Sequence, residues 1–333
     1  MTALMPIRLD YLLGMIDDTG LLEHARFGVT RRDHGYSIDD AARALILLMS
    51  APEHPKREDS IKTLLGFVIY AQKADGRFHN RMSYDRRWID SVGSDDSQGR
   101  AIWSLLEAAA RAPSFGLREA ASDCLRQATL PETRYVRPSV YVGLGARSAD
   151  RVGVGLEMIE QISEFLISLN EPWPESRLRY ANGRIPHAML AVGDVLGIPT
   201  LVEKGIRTLE WLCLEEEWEG HWSFTPVDGR APGGPKPVFD QQPIEAACMA
   251  EACLEAWTIT GDSVWSDRVL TCGRWLAGDN DSRFPLYDPE TGACYDGLEE
   301  SGVNRNQGAE STISGLAVVM ACHRVWAGSE VRQ

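Results

Sequence analysis

The sequence has 333 residues, 44% of them hydrophobic, and carries a formal net charge of −14 with a pI near 5.0. This acidic balance excludes nucleic acid and an anionic membrane surface as expected partners, because either would require a basic patch that displaces counterions. Seven cysteines without a CxxC pair form neither a zinc motif nor an even-numbered disulfide framework, so reduced core thiols are expected.

Helical spacing of apolar residues recurs along the chain and alternating strand patterns are scarce, so an all-α class is predicted. The predicted helices alternate between two kinds. Amphipathic helices, with one apolar stripe against a charged face, are expected in 57–73 and 156–169. Helices that are apolar nearly all round, as in 41–49, 246–257 and 315–326, indicate burial on every side. We interpret the first kind as outer helices and the second as inner helices.

The connections alternate as well. Those that leave an inner helix are short, whereas those that enter one are long, as in 76–96, 217–242 and 277–306. Because paired helices are antiparallel, the long loops should emerge at one end, and six such hairpins predict a single (α/α)6 toroid domain over 1–333. The inner helices are predicted to begin near Ser37, Ser97, Pro138, Arg184, Gln242 and Gln307.

The inner helices open on polar segments before they become apolar, as in HGYSIDDAARA and FDQQPIEAA. If the ring closes, these openings converge on one central funnel, which is the default position for a binding site. The residues expected to bind substrate there are His34, Tyr36, Asp39, Gln98, Arg100, His187, Asp240, Gln241, Gln242, Asn306 and Gln307.

Two long loops add aromatic residues interleaved with Arg, Asn and His, in 78–88 and 217–224. Such a mixture suits a sugar, whose ring stacks on an aromatic face while its hydroxyls take polar contacts. Tryptophans inside predicted helices are assigned to packing, and His24, His54 and His323 to structural roles, since they have no convergent partners. The loop residues expected to bind substrate are His79, Asn80, Arg81, Trp88, His221 and Trp222.

Four carboxylates are the catalytic candidates. Glu245 and Glu310 each lie about a turn inside an apolar helix, where a charge is costly unless it faces a polar cavity or a partner. Asp96 and Glu245 form the first predicted pair, because they belong to inner helices that face each other across a six-membered ring. Asp40 and Glu310 form the second pair. Helix capping is an equally good explanation of Asp40 and Asp96, since Ser37 and Asp40 match a capping box.

Motifs for other chemistries are absent from the sequence: there is no GxSxG elbow, P-loop, HExxH or GxGxxG after a strand. No metal and no cofactor are therefore predicted. The N-terminal residues lack the pattern of a secretory signal, and no run of about 18 apolar residues occurs, so a cytoplasmic location is expected.

Six ordered segments between Tyr36 and Thr312 carry a family resemblance: YSIDDAARAL, HNRMSYDRRW, GSDDSQGRAIW, FDQQPIEAA, PLYDPETGACYDGL and NQGAEST. Together they resemble a bacterial family of the six-hairpin glycosidase-like superfamily, whose members occur alone or fused behind glycosyltransferase domains. The resemblance implies an (α/α)6 fold, a carbohydrate role and a glycosyltransferase partner. In the third segment Asp95 and Gln98 replace a Glu and a His of the family, which leaves Asp96 as the matched carboxylate.

The preferred hypothesis is a glycoside hydrolase that acts on an oligosaccharide or polysaccharide through two carboxylates. A sugar isomerase or epimerase is the second hypothesis, which a pair of imidazoles facing each other across the funnel would favour. The histidines that keep it open are His34, His79, His187 and His221. The third is a non-catalytic glycan-binding module that serves a glycosyltransferase.

Overall fold

A computed structural model describes residues 4–132 and 135–331, with the side chains of 329–331 excepted. The described part is mostly helical, as predicted. Its α-helices are α1 Asp10–Gly14, α2 Ile38–Ser50, α3 Arg57–Tyr70, α4 Asp95–Arg111, α5 Phe115–Gln127, α6 Val136–Leu144, α7 Ala146–Val152, α8 Leu156–Ser168, α9 Arg184–Val195, α10 Pro199–Glu216, α11 Pro243–Thr260, α12 Ser263–Leu276 and α13 Ala309–Val331.

The inner helices close into a ring. Helices α2, α4, α6, α9, α11 and α13 each contact the next, and α13 contacts α2. Each inner helix has an outer partner: α3, α5, α8, α10 and α12 pack on the first five in order, and the short α1 packs on α13. The predicted (α/α)6 toroid is confirmed, and every inner helix begins within two residues of its predicted position.

Short strands lie in the long loops that precede inner helices. They are β1 Leu22–Arg26, β2 Val29–Ser37 and β3 Arg81–Met82 in one antiparallel sheet, and the hairpins β4 Glu217–Trp218 with β5 His221–Trp222 and β6 Gly297–Glu299 with β7 Gly302–Asn304. His34 and Tyr36, expected at the opening of an inner helix, lie on β2 instead. The helix begins only after Ser37, whose extended backbone and side chain cap it by accepting from the Asp40 N–H.

The core follows the two helix kinds. The inner helices are buried along most of their length, and most of their small and apolar residues form one large cluster with the inward stripes of the outer helices. Ile244 and Cys248 of α11 form a small separate cluster with Ala181. All seven cysteines are buried free thiols, as expected. No helix among the described residues is long and apolar enough to cross a membrane.

Two helical glycines give opposite predictions for stability. A Cβ on Gly99 of α4 would meet the Pro138 carbonyl oxygen of α6 at 2.4 Å, whereas a Cβ on Gly66 of α3 would meet no atom within 4 Å. Gly99→Ala is therefore expected to destabilise the fold by about 1–3 kcal/mol, because the two helices must separate. Gly66→Ala is the matched control, expected to stabilise by about 0.5–1 kcal/mol through helix propensity. Urea unfolding of both variants measures the difference, and an unchanged stability of Gly99→Ala would contradict the close helix contact.

Candidate active site

The long loops surround a cleft at one end of the ring, and the cleft has two adjoining chambers. The large chamber has a volume of about 1060 Å³ and the small chamber about 310 Å³. Both are lined by Asp39, Arg43, Gln242 and Glu310, so the two chambers adjoin along these residues. The predicted funnel is thus present, and seven of the predicted site residues line it: Asp39, Asp40, Asp96, Arg100, Asp240, Gln242 and Glu310.

One guanidinium holds two carboxylates at the junction of the chambers. Arg43 donates to Asp40 Oδ1 at 2.8 Å from Nη1, and its Nη2 lies 2.8 Å from Glu310 Oε2. Burial, together with the nearby carboxylates Glu310 and Glu23, raises the pKa of Asp40 to about 6. Glu310 is 37% exposed and therefore reaches solvent. The second predicted pair meets here, with one carboxyl poised for protonation and the other open to water.

A second arginine organises Asp39 on the wall beside this pair. Arg100 is buried in α4, lies 2.6 Å from Asp39 Oδ1 through Nη1, and donates to the Tyr141 hydroxyl at 2.6 Å through Nη2. Asn80 Nδ2 donates to the other Asp39 oxygen at 3.1 Å. Burial opposes ionisation of Asp39, but Arg100 and Arg43 outweigh it and lower the pKa of this carboxyl. Asp39 is thus a fixed anion.

Asp96 lies in the large chamber with an aromatic partner. The Tyr180 hydroxyl donates to Asp96 Oδ2 at 2.7 Å, and the Tyr180 ring is 41% exposed. Arg137 packs over the other part of that ring, 4.6 Å from its centroid, and is held by Glu175 at 2.6 Å. Tyr135, more exposed still, also lines this chamber. Two tyrosines that are each more than 40% exposed therefore line this chamber.

Glu245 has a different environment from the one expected. It is only 5% exposed and accepts hydrogen bonds from the backbone N–H groups of Ala181 and Asn182, the second at 3.1 Å. Burial, with Glu216 nearby, raises the pKa of Glu245 to about 8. This placement corrects the expectation that Glu245 faces the funnel: the loop before α9 covers it, and its oxygens satisfy backbone donors that would otherwise lack partners.

The loop aromatics that were expected to stack on sugar pack inside the protein. The ring of Trp88 stacks on His79 with centroids 4.9 Å apart, and His79 Nδ1 lies 3.0 Å from the Asp90 carbonyl. Trp222 is buried and stacks on Phe224. These contacts give the rings structural partners, because the long loops fold back as hairpins onto the outer helices.

Two buried glutamines tie the long loops to the inner helices in the same way. Gln98 Oε1 accepts from the Phe78 N–H at 3.0 Å, and Gln241 Oε1 accepts from the Phe224 N–H at 3.1 Å. The Gln241 amide also donates to Asp281 at 2.7 Å. Both side chains were expected to bind substrate, but their amides are used in anchoring loops.

Two further predicted contacts with substrate are taken by protein groups. The buried Tyr36 donates its hydroxyl to Asp17 at 2.7 Å. His221 Nε2 lies 2.9 Å from Asp281. Each ring is therefore held by a carboxylate inside the loop layer, where it stabilises the hairpin that carries it.

Three more residues that were predicted to bind substrate have partners within the protein. Asn306 accepts from the Phe27 N–H at 3.1 Å through its side chain, and Gln307 donates its N–H to the Phe27 carbonyl at 3.2 Å. His187 is half-buried beside Arg184, and the partial loss of solvent together with the Arg184 charge holds the pKa of His187 well below its usual value, so the imidazole is neutral.

The remaining predicted residues lie at the rim of the small chamber. Arg81 pairs with Glu23 at 2.5 Å, and the His34 ring lies 4.5 Å from the His24 ring. Glu23 and His24 themselves line this chamber, although a structural role was predicted for His24.

Several residues of the cleft were missed from the sequence. Arg43 had a usable signal, because it is the only charge in the otherwise apolar segment 41–49. Arg137 had a signal as well, because it is a charged residue in the first turn of the inner helix α6. The others lie outside the helices, in segments whose path depends on tertiary contacts, and no local pattern marked them. They are Glu23, Tyr135, Glu175, Arg179, Tyr180 and Asp296.

The closed ring of paired helices, with its long loops gathered at one end, defines the chain as a six-hairpin (α/α)6 toroid. No protein-family model and no curated protein sequence matches it.

Solved structures share this fold. A D-mannose isomerase has a TM-score of 0.72 at 11% identity, covering 96% of this chain and 95% of that chain. A cellobiose 2-epimerase from Spirochaeta thermophila also has 0.72 at 11%, covering 96% and 94%. The GH76 α-mannanase BT2949 from Bacteroides thetaiotaomicron has 0.63 at 11%, covering 96% and 95%. At this identity the likeness establishes the fold alone.

Proposed function

We propose that the chain is a glycoside hydrolase whose working carboxylates are Asp40 and Glu310. The observation that carries the proposal is their geometry: two carboxylates held by Arg43 at the junction of two chambers, one buried and one open to solvent. Glycoside hydrolysis requires such a pair, one protonated and one ionised. The second predicted pair thus replaces Asp96 and Glu245, because Glu245 is occupied by backbone donors.

In this mechanism Asp40 is the general acid that protonates the leaving oxygen. Its burial and the neighbouring negative charge favour the protonated form. Glu310, paired with Arg43 and open to solvent, is the carboxylate that activates water or attacks the anomeric carbon. Asp39 and Asp96 are suited to bind sugar hydroxyls, and the exposed face of Tyr180 is suited to stack on a sugar ring.

A sugar epimerase or isomerase is the second candidate. The TM-scores of the isomerase and the epimerase, 0.72 each, exceed the 0.63 of the mannanase. Proton transfer next to a carbonyl calls for a base such as imidazole on each side of the sugar. Here His24 lines the small chamber, but its imidazole partner His34 lies beside it on the same hairpin and not across the cleft, and this arrangement favours hydrolysis by the carboxylates.

The test is a product screen over α- and β-linked manno-, gluco- and galacto-oligosaccharides, with chromatographic detection of both released sugars and epimers. Release of reducing ends by the parent chain, lost in Asp40→Asn, supports the hydrolase. Epimerised products without release overturn it in favour of the second candidate. Saturable glycan binding without any turnover overturns both and leaves the binding module. The single domain over 1–333, the cytoplasmic location and the glycosyltransferase partner stay predictions.

The raised pKa of Asp40 predicts the pH dependence of the reaction. A general acid must be protonated, so kcat/KM should be high below about pH 6 and fall as the pH rises through the pKa of about 6. An ordinary aspartic acid would place this fall near pH 4. Initial rates between about pH 4 and pH 8 measure the profile. An alkaline limb that persists unchanged in the residual activity of Asp40→Asn would assign the acid to another group.

A further inference from the structure

The β1–β2 hairpin at the rim of the small chamber brings together one carboxylate and two imidazoles. Successive strand residues normally point to opposite faces, so Glu23 and His24 would be separated in a regular strand. The pairing is irregular here: Leu22 lies opposite Tyr36, and His24 lies opposite Arg31. Residues 32–35 of β2 therefore stand opposite Glu23 alone. A bulge of this kind re-aims side chains, and it brings His34 beside His24.

The three side chains are close enough to share one ion. One ligand atom from each of Glu23, His24 and His34 lies within 4.8 Å of the other two. The two imidazole centroids are 4.5 Å apart with planes at 76°, and Glu23 Oε1 lies 3.9 Å from His24 Nε2. Ligands of one zinc ion lie within about 4 Å of one another, so a small rotation of the half-exposed rings completes the site. Among the described residues this is the one group of three with such spacing.

We propose that Glu23, His24 and His34 form a binding site for a divalent transition-metal ion, with zinc as the first candidate. Two histidines and one carboxylate are a known ligand set for zinc sites that keep an open coordination position, and for other divalent metals of the first row. The proposal does not depend on the hydrolase function, because the ion binds whether or not a glycan is cleaved.

The charges around the site favour a cation. Arg81 holds Glu23 Oε2 at 2.5 Å, which leaves Oε1, the oxygen nearer His24, for the metal. A ligating carboxylate is commonly oriented by such a second hydrogen bond. Glu23 lines the small chamber together with Asp39, Asp296 and Glu310. These carboxylates give the site a negative field.

The neighbouring arginine on β2 has a paired charge, so it does not strongly repel a bound cation. Arg31 Nη2 lies 2.5 Å from Asp33 Oδ2, so its charge is compensated within the strand. The rings of His24 and His34 are 45% and 34% exposed, which lets an ion enter from solvent without opening the fold. No metal site was predicted from the sequence, because these ligands are separated by a hairpin turn and match no standard metal-binding motif.

Calorimetric titration of the untagged, chelator-treated chain with Zn²⁺ tests the proposal. We expect binding of one equivalent, weakened at least about tenfold in His24→Ala, His34→Ala and Glu23→Gln. His54→Ala is the matched control: His54 lies 3.3 Å from the Asp10 carboxylate but lacks a second imidazole, so its loss should leave Zn²⁺ affinity unchanged. His34→Gln is a gentler variant, and circular dichroism shows whether each variant is folded.

Co²⁺ provides an independent readout, because its visible spectrum reports the ligands directly. A spectrum of nitrogen and oxygen ligation that disappears in His34→Gln supports the site. A thiolate charge-transfer band would instead place the ion on one of the cysteines and overturn the proposal. The absence of saturable Zn²⁺ binding, or an affinity that is the same in folded His24→Ala and His34→Gln, would overturn it as well.

Discussion

Asp40→Asn and Glu310→Gln are each expected to lower kcat/KM by about 10²–10⁴-fold on the glycan that the product screen identifies. Each substitution keeps the size of the side chain while removing the group that gives or takes a proton. Asparagine at position 40 has no acidic proton, and glutamine at position 310 has no negative charge to activate water or form a bond. Steady-state kinetics of both variants, with the parent chain in the same buffer, give the ratios.

The two variants should differ from the parent chain mainly in kcat and less in KM. Because both groups act mainly in the transition state, kcat should fall more than KM rises. Asp279→Asn is the matched control, since Asp279 is an exposed carboxylate paired with Arg274 outside the cleft, and it should leave kcat/KM unchanged. A loss of activity as large in Asp96→Asn, with full activity in Glu310→Gln, would return the catalytic role to Asp96.

Glu245→Ala is expected to destabilise the folded state by about 2–4 kcal/mol. The substitution removes the acceptor for the backbone N–H groups of Ala181 and Asn182, and each buried donor left without a partner costs about 1–3 kcal/mol. Urea unfolding followed by circular dichroism measures the change. Tyr180 belongs to the same loop as Ala181 and Asn182. Loss of the Glu245 anchor should therefore also weaken the hydrogen bond from Tyr180 to Asp96, and with it the binding of glycan.

Two further variants separate this anchoring role from a general effect of losing a glutamate. Glu210→Ala removes an exposed carboxylate from the outer helix α10, and its stability should stay within about 0.5 kcal/mol of the parent. Glu245→Gln keeps one acceptor but turns an NH₂ toward a donor, so its stability should be intermediate. A Glu245→Ala chain that is as stable as the parent but inactive would show that Glu245 acts on substrate instead.

The ring could be predicted because its signals are local. An amphipathic stripe marks an outer helix, an all-apolar segment marks an inner one, and both are read within a single segment. Polar openings of the inner helices predicted the end at which the cleft lies, and seven residues from those openings do line it. The apolar segments and their polar openings are visible in the sequence because each inner helix must be buried on all sides and must begin at the same end of the ring.

The roles of individual side chains depended on contacts that no local pattern records. Glu245 and Glu310 look alike in sequence, since each lies in the first turn of an apolar inner helix. One meets backbone donors of Ala181 and Asn182, more than 60 residues away, and the other meets Arg43 and solvent. Trp88 and Trp222 follow the same rule: Trp88 packs on Phe67 of the outer helix α3, and Trp222 stacks on Phe224, which in turn contacts Trp275 of the outer helix α12.

The closure of the ring between α2 and α13 also limits when the protein can fold during its synthesis. Helix α2, residues 38–50, cannot pack against α13 until residues 309–331 have left the ribosome. Until then the apolar side of α2 that packs on α13 is exposed to solvent. The hairpins that have already formed make an open arc, with aggregation-prone apolar surface exposed at each end. Contacts over such sequence distances slow folding, so the newly made chain should depend on chaperones until its final helix closes the circle.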